Sequence, residues 1–180
     1  NGMKINSPML GQVDFSLIPS YFIDDMTLWH GASSVNVTGG GLGGAITLAN
    51  KPMAGKGIEL NFIQGISSFN TYDDFLHFRY ASDKWQSSTR VCYVNSQNDF
   101  KYRNYNKKNF DEQGNFLGYP VERNKNCKYR DFHILQEFYY DRGNGNRFSF
   151  AGWYVDSKRG IPMLDVNYRE ENEAKNQQEQ

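Results

Sequence analysis

The sequence lacks long apolar runs. No window approaches the roughly 18 consecutive apolar residues that a transmembrane helix needs, so no such helix is expected. Charge of one sign is also missing: Lys+Arg 20 balances Asp+Glu 20, which leaves no whole-chain argument for nucleic acid or an acidic substrate. Cys92 and Cys127 are the only cysteines, so one disulfide is the most the chain can form. Cys92 falls inside an expected strand and Cys127 opposite the upper end of the long connection that follows it. Cα atoms more than about 7 Å apart cannot be bridged, so two free thiols are expected. The three histidines, His30, His77 and His133, are far apart, and no Cys/His spacing fits zinc. Each is expected to make a local hydrogen bond. Asn1-Gly2-Met3 opens the chain with neither a basic nor an apolar leader region, and a Lys/Asn/Gln/Glu tail closes it. A complete cytosolic protein and a segment cut from a longer one both fit these ends; the second is the expectation.

What the chain has is aromatic side chains in a polar setting. Phe 13, Tyr 12 and Trp 3 accompany a mean hydropathy of -0.74. That combination suits short alternating strands with one apolar face, and also the aromatic girdles of membrane barrels.

The first stretch, to about Lys51, differs from the remainder. Ser16 to Tyr21 is read as a short helix start with Pro19 in its first turn. The glycine cluster Gly39 to Gly44 reads as a tight turn feeding the strand Ala45-Ile46-Thr47-Leu48. After Pro52 the chain becomes hairpins. Ile58, Leu60 and Phe62 alternate with Glu59 and Asn61; Leu76, Phe78 and Tyr80 with Phe75, His77 and Arg79. Gln86 to Tyr102 sets Thr89, Val91 and Tyr93 against Ser88, Arg90 and Cys92. Strands are expected again over Tyr129–Tyr140 and Arg147–Lys158, with Asp141 to Asn146 as the turn between them. Connections at Ser82–Lys84 and Asp141–Asn146 are short and Arg103–Asn126 is long, while Ser67–Asp73, on the same side as the long one, is also short. Short turns on one side and long loops on the other is the habit of outer-membrane barrels.

One contiguous stretch carries a resemblance. Leu28-Trp29-His30-Gly31-Ala32-Ser33-Ser34-Val35-Asn36-Val37, then Gly39 to Gly44, then Ala45 to Pro52, resembles the end of the plug domain of TonB-dependent outer-membrane receptors. Gly31, Ser33, Gly40, Gly43, Gly44 and Lys51 match the plug motif and are given a structural role. Asn1 to Asn6 looks like the upstream plug segment, and Leu17 to Met26 like the element leading into the last plug strands. Asn1 departs from a usual Asp, and Asp25-Met26-Thr27-Leu28 from a usual basic-acidic pair. The motif covers about the first 55 residues; beyond it the likeness is architectural.

The resemblance implies a mainly β fold. Residues 1–55 would be the C-terminal part of a plug, and residues 56–180 about five antiparallel meander strands of an incomplete transmembrane barrel. The family's barrel has about 22 strands around the plug. The implied function is active import of a scarce nutrient, such as an iron chelate or cobalamin, across the bacterial outer membrane. The implied partners are TonB, engaged through a segment upstream of this chain, the nutrient and outer-membrane lipid, with no nucleic acid and no cofactor. Tyr102, Tyr105, Phe110, Phe116 and Tyr119 of the long loop are the ligand-binding candidates; packing of the loop on itself is the plainer role for them.

Other readings carry less. Gly39, Gly41 and Gly44 satisfy G-x-G-x-x-G, but no helix follows to hold a pyrophosphate. Asp24-Asp25 and Asp73-Asp74 are paired carboxylates, yet adjacent strand residues point to opposite faces. No nucleophile–base spacing supports an enzyme, and no catalytic or metal residue is assigned. The alternative from another class is a soluble or surface-exposed β-sandwich that binds a ligand or adheres. It requires uniformly apolar inner faces, whereas Asp131, His133 and Glu137 share a face with Leu135 and Tyr139.

Overall fold

Strict alternation of side chains decides how this chain pairs. The computed structural model describes residues 4–6, 11, 13–31, 44–162 and 177–179. Among them the protein is mainly antiparallel β, with two single-turn 3₁₀ segments, Phe15–Leu17 and Ser20–Phe22. No helix among the described residues is long and apolar enough to cross a membrane. Asp14 caps the first 3₁₀ turn through Ser16 N at 2.9 Å, and Pro19 precedes the second. The expected short helix is thus two separate turns, with Pro19 between them.

Strands β1 (Asp25–His30) and β2 (Gly44–Ala49) form a two-stranded antiparallel sheet, in register from Asp25 opposite Ala49 to His30 opposite Gly44. Trp29 Nε1 donates to Thr47 Oγ1 across the pair at 3.1 Å. The long strands are β3 (Gly57–Ser67), β4 (Thr71–Ala81), β5 (Trp85–Ser96), β10 (Tyr129–Gly143) and β11 (Asn146–Gly160). They lie side by side in chain order, and the short β12 (Gln177–Glu179) adds to the free edge of β11. Between β5 and β10, β6 (Lys101–Arg103) pairs with β9 (Val121–Arg123), and β7 (Asn109–Phe110) with β8 (Phe116–Gly118).

Three boundaries differ from expectation, each for a local backbone reason. Asn144 and Gly145 both have positive φ (55° and 78°), the primed two-residue turn that matches strand twist, so β10 and β11 extend through most of Asp141–Asn146. Phe69 and Asn70 (63° and 53°) likewise shorten the expected 67–73 connection to a tight turn. The strand foreseen over Gln86–Tyr102 stops at Ser96, because Asn98 adopts φ 49° and turns the chain. The long connection between β5 and β10 contains the paired segments just named.

The faces of the long strands are inverted relative to a water-soluble sheet. Ile58, Leu60, Phe62 and Ile66 of β3 are exposed, as are Leu76, Phe78 and Tyr80 of β4, and Phe148, Phe150 and Tyr154 of β11. The alternate positions carry the buried side chains, and these are mostly polar: His77, Ser88, Arg90, Asp131, His133, Glu137 and Ser157.

Two compact units result. The first comprises Asn1–Phe62, Phe75–Cys92 and Ile134–Tyr154; the second comprises Ile63–Asp74, Tyr93–His133 and Val155–Gln180. The division crosses the long strands, and the N-terminal segment is grouped with the strand portions on which it packs. Phe22 is its buried anchor, with ring centroids 6.4 Å from Phe75 and 6.3 Å from Trp153, while Tyr21 stacks on Phe75 at 4.8 Å. Burying one such side chain contributes about 1.5–3 kcal/mol. Both cysteines are free and buried, as expected.

Gly44 is fixed by two constraints: φ is +144°, and an added Cβ would stand 2.7 Å from the Trp29 carbonyl oxygen. Gly44→Ala should therefore loosen the β1–β2 pair and cost about 1–3 kcal/mol, read as a lower Tm. Gly152→Ala, where a Cβ would meet only Phe150 ring carbons at 3.8 Å, should leave Tm nearly unchanged. Equal shifts for the two variants would contradict the strain at Gly44.

Candidate functional site

A guanidinium on a covered β-sheet face needs acceptors, and in the first unit the N-terminal segment supplies them. Arg90 of β5 is 1% exposed. Its Nη2 donates to Asp24 Oδ2 at 2.6 Å, and its Nη1 to Asn50 Oδ1 at 3.3 Å and to the Tyr21 carbonyl at 3.4 Å. Its Nε donates to His77 Nε2 at 3.2 Å. Since arginine can only donate, His77 Nε2 accepts, which leaves the ring proton on Nδ1 and makes Ser88 Oγ, 3.0 Å away, a donor to the same nitrogen.

The network continues through Asn50. Its Oδ1 is taken by Arg90, so its Nδ2 faces the buried Glu137 and donates to Oε2 at 3.1 Å. Tyr139 donates to the other Glu137 oxygen at 3.1 Å. The 3₁₀ turn at Ser20–Phe22 brings the Tyr21 carbonyl and Asp24 to Arg90, and the end of β2 brings Asn50. Asp24 N also donates to the Ala49 carbonyl at 3.2 Å, and Lys51 N donates to Asp24 Oδ2 at 2.9 Å. Burial pushes the Asp24 carboxyl up. The Lys51 N–H and the Arg90 hydrogen bond and charge outweigh that and hold it below the ordinary carboxylate range.

The paired carboxylates separate as strand geometry requires. Asp24 joins the buried network, whereas Asp25 meets the Lys51 ammonium at 3.2 Å in an exposed pair worth little. Of the plug-motif residues, Gly31 adopts φ 56°, Gly44 sits tight under Trp29, and Lys51 closes on Asp24 and Asp25. Ser33, Gly40 and Gly43 lie outside the described residues. Asp24, Asn50, His77, Arg90 and Glu137 were not singled out as site residues by sequence reasoning. The available signal was Arg90 itself, a cation alternating with Ser88 and Cys92 on a strand face.

The second unit holds the loop candidates. Tyr105 and Tyr119 meet edge-on at 5.0 Å, Tyr119 and Phe116 at 5.3 Å, and Phe116 and Phe110 at 6.0 Å. Four of the five aromatic candidates therefore form one row of rings, with Tyr105, Phe110 and Phe116 still exposed. Tyr102 lies in β6 opposite Glu122. At the tip Asp111 accepts from Asn115 Nδ2 at 2.9 Å, Asn115 N at 2.6 Å and Gln113 N at 3.0 Å; these bonds, led by the Asn115 side chain, hold its carboxyl below the usual range. On the covered face of this unit Arg159 forks onto Asp131 at 2.6 and 3.3 Å, and Ser157 donates to the same carboxylate at 2.5 Å. Among the described residues no group of His, Cys, Asp and Glu is placed to hold a metal ion.

No protein-family model matches the chain, and no curated protein matches it.

Removing the Arg90 side chain leaves the partly buried Asp24 carboxylate without its cation, which costs less than the roughly 3–5 kcal/mol of a fully buried pair because Asp24 keeps some solvent and the Lys51 N–H. Arg90→Ala should expose the segment before β3 to limited proteolysis, and Asp24→Asn combined with Arg90→Gln should restore much of the protection. For pH the sign follows from the lowered Asp24 carboxyl. Its contribution is complete above the ordinary value of 3.8 and is lost as pH falls through the folded value. Protease sensitivity of the segment should therefore rise on acidification below that range, and Asp24→Asn should flatten the acid limb.

Proposed function

We propose that this chain is the end of a plug and the first wall strands of a TonB-dependent receptor of the bacterial outer membrane, which imports a scarce small-molecule nutrient. One observation carries the reading. The sheet is largely inside out: its exposed face carries mostly apolar side chains, with the Ser87–Gln136–Thr89 hydrogen-bond cluster among them, and its covered face carries mostly polar ones. In water such a face would be an aggregation-prone patch, since soluble monomers rarely leave more than a few hundred Å² of contiguous apolar surface bare. In a bilayer it is the lipid-facing surface of a barrel wall, and the polar face lines the interior.

Further features support it. Trp85, Tyr140 and Phe148 form a ring stack, with centroid separations of 4.5 and 6.5 Å, beside the short turns at Ser82–Lys84 and Asn144–Gly145. Aromatic side chains at strand ends suit a girdle at the membrane interface. The turns there are tight, whereas the connection between β5 and β10 is long. The N-terminal segment sits on the polar face, where a plug would sit. The sandwich alternative needs a second sheet over the apolar face, and among the described residues that face is exposed.

The mechanism is binding and gating without covalent chemistry. A plug must rearrange inside its wall without disrupting an apolar core. Here the contact is a pair of aromatic rings, Tyr21 and Phe22, and a polar network of Asp24, Asn50, Arg90 and Glu137. Hydrogen bonds of that kind can be exchanged for water as the plug moves. Six strands in an open sheet cannot close a barrel, and open edges are not viable in lipid, so the wall requires further strands.

Spin labels on the full-length polypeptide in liposomes test the reading. Labels at Leu60, Phe78, Phe138 and Tyr154 should collide with dissolved oxygen, and labels at Asn61 and Ser149 with a water-soluble nickel chelate. A protein that stays soluble without detergent, with all six sites open to the nickel chelate, would falsify membrane insertion and return the sandwich module.

A further inference from the structure

The second unit contains a concavity of about 630 Å³, within the range of roughly 300–1,000 Å³ typical of small-molecule sites. Phe69 and Phe100 form part of its wall, edge to face at 6.3 Å, and both rings remain substantially exposed. Asn70, Gln97, Asp99 and Arg123 supply polar lining, with Lys101 beside them.

The walls are held in place before any ligand arrives. Gln97 N donates to the Phe69 carbonyl at 3.0 Å, and Asn124 N to the Phe100 carbonyl at 2.9 Å. Arg123 Nη1 donates to Asp99 Oδ2 at 2.6 Å. Beneath them the Cys127 thiol donates to the Asn98 carbonyl at 2.9 Å; burial and then the Asp99 charge push that thiol up, so it stays a donor.

Phe69 is out of place on folding grounds alone. Its φ of 63° belongs to glycine or asparagine, and a bulky residue there is strained. The strain places an aromatic face at the edge of the concavity. Backbone outliers of this kind point from structure toward function.

The lining also narrows the ligand. With Arg123 already paired with Asp99, Lys101 leaves the lining a single net positive charge, too little for a multiply anionic chelate, and the Asp99 carboxylate would repel one. A wholly apolar ligand would desolvate the ion pair and the amides without replacing their hydrogen bonds. A ring that carries hydroxyl groups on its edge and C–H groups on its face satisfies both sets: the face lies on the phenyl rings, and the edge meets amide, carboxylate and guanidinium. The geometry points to a binding subsite for a neutral saccharide segment, lined by Phe69, Phe100, Asn70, Gln97 and the Asp99–Arg123 pair. This deepens the receptor reading and rests on it, naming a class of substrate.

The full-length polypeptide in detergent micelles is titrated by calorimetry with neutral glucan, mannan, galactan and xylan trisaccharides, and with ferric citrate as an anionic comparator. At least one trisaccharide should bind. Phe100→Ala and Asp99→Asn should each weaken it by about tenfold or more, and Lys56→Gln should not. Phe69→Gly should separate folding from binding, with Tm unchanged or raised and the saccharide affinity lost. Binding of none of the trisaccharides at millimolar concentration overturns the inference. So does binding of ferric citrate alone, or saccharide binding that survives both Phe69→Gly and Phe100→Ala. If the spin labels report a lipid-facing sheet while saccharides fail, only the substrate class falls; if they report a soluble protein, the receptor reading falls with it.

Discussion

Arg90 sets the terms for the unit around it. Moving a guanidinium out of water costs several kcal/mol, and that cost is tolerable only with excellent geometry and its other donors satisfied. Its own strand offers little help. Asp24, Tyr21 and Asn50 lie 66, 69 and 40 residues away in sequence, and His77 comes from the neighbouring strand. The N-terminal segment must therefore be seated for the polar face to be stable. Seating it fixes the rest: Phe22 drops between Phe75 and Trp153, β2 is drawn to the sheet by Asn50, and Glu137 gains a donor.

A buried ion pair is seldom the most stable filling for such a place; well-packed apolar residues of similar volume often do as well or better. What the polar network supplies is a contact that water can replace. An apolar interface of the same area would behave as a core, and separating it would expose surface that water cannot satisfy. If the N-terminal segment is a plug that shifts within its wall, as proposed, the polar choice lowers the cost of the displaced state. The same logic accounts for the inverted sheet. If lipid solvates the outer face, the apolar side chains belong there, and the inner face is free to carry groups that a soluble core would reject.

The alternation that defines these faces was legible in the sequence. Ile58, Leu60 and Phe62 against Glu59 and Asn61, and Ser88, Arg90 and Cys92 against Thr89, Val91 and Tyr93, place each side chain on the face it occupies. Period-two patterning is local, so it survives without knowledge of partners. Tight turns were less legible. Phe69-Asn70 does not have the Asn-Gly composition of a primed turn, and Asn98 breaks a strand that its neighbours would have continued. The polar network was not legible at all. Its members are single residues scattered from Asp24 to Tyr139, and only the fold makes them neighbours. Of the plug motif, Gly44 and Gly31 have a physical reason in positive φ, and Gly44 also in the close approach of Trp29.

The two units are held by different kinds of bond, and the difference bears on what each can do. Around the concavity of the second unit the side-chain bonds of Arg123 and Cys127 are accompanied by main-chain anchors, Gln97 N on the Phe69 carbonyl and Asn124 N on the Phe100 carbonyl. Such anchors cannot be released without unravelling the local chain, and a wall so fixed loses little conformational freedom when it engages a ligand. In the first unit, the bonds from the N-terminal segment to Arg90 and Glu137 are mostly between side chains. They can part by rotamer change while the strands stay paired. If the chain imports a ligand by binding and gating, as proposed, it needs both a rigid recognition surface and a separable contact, and the different bonding within the two units would supply one of each.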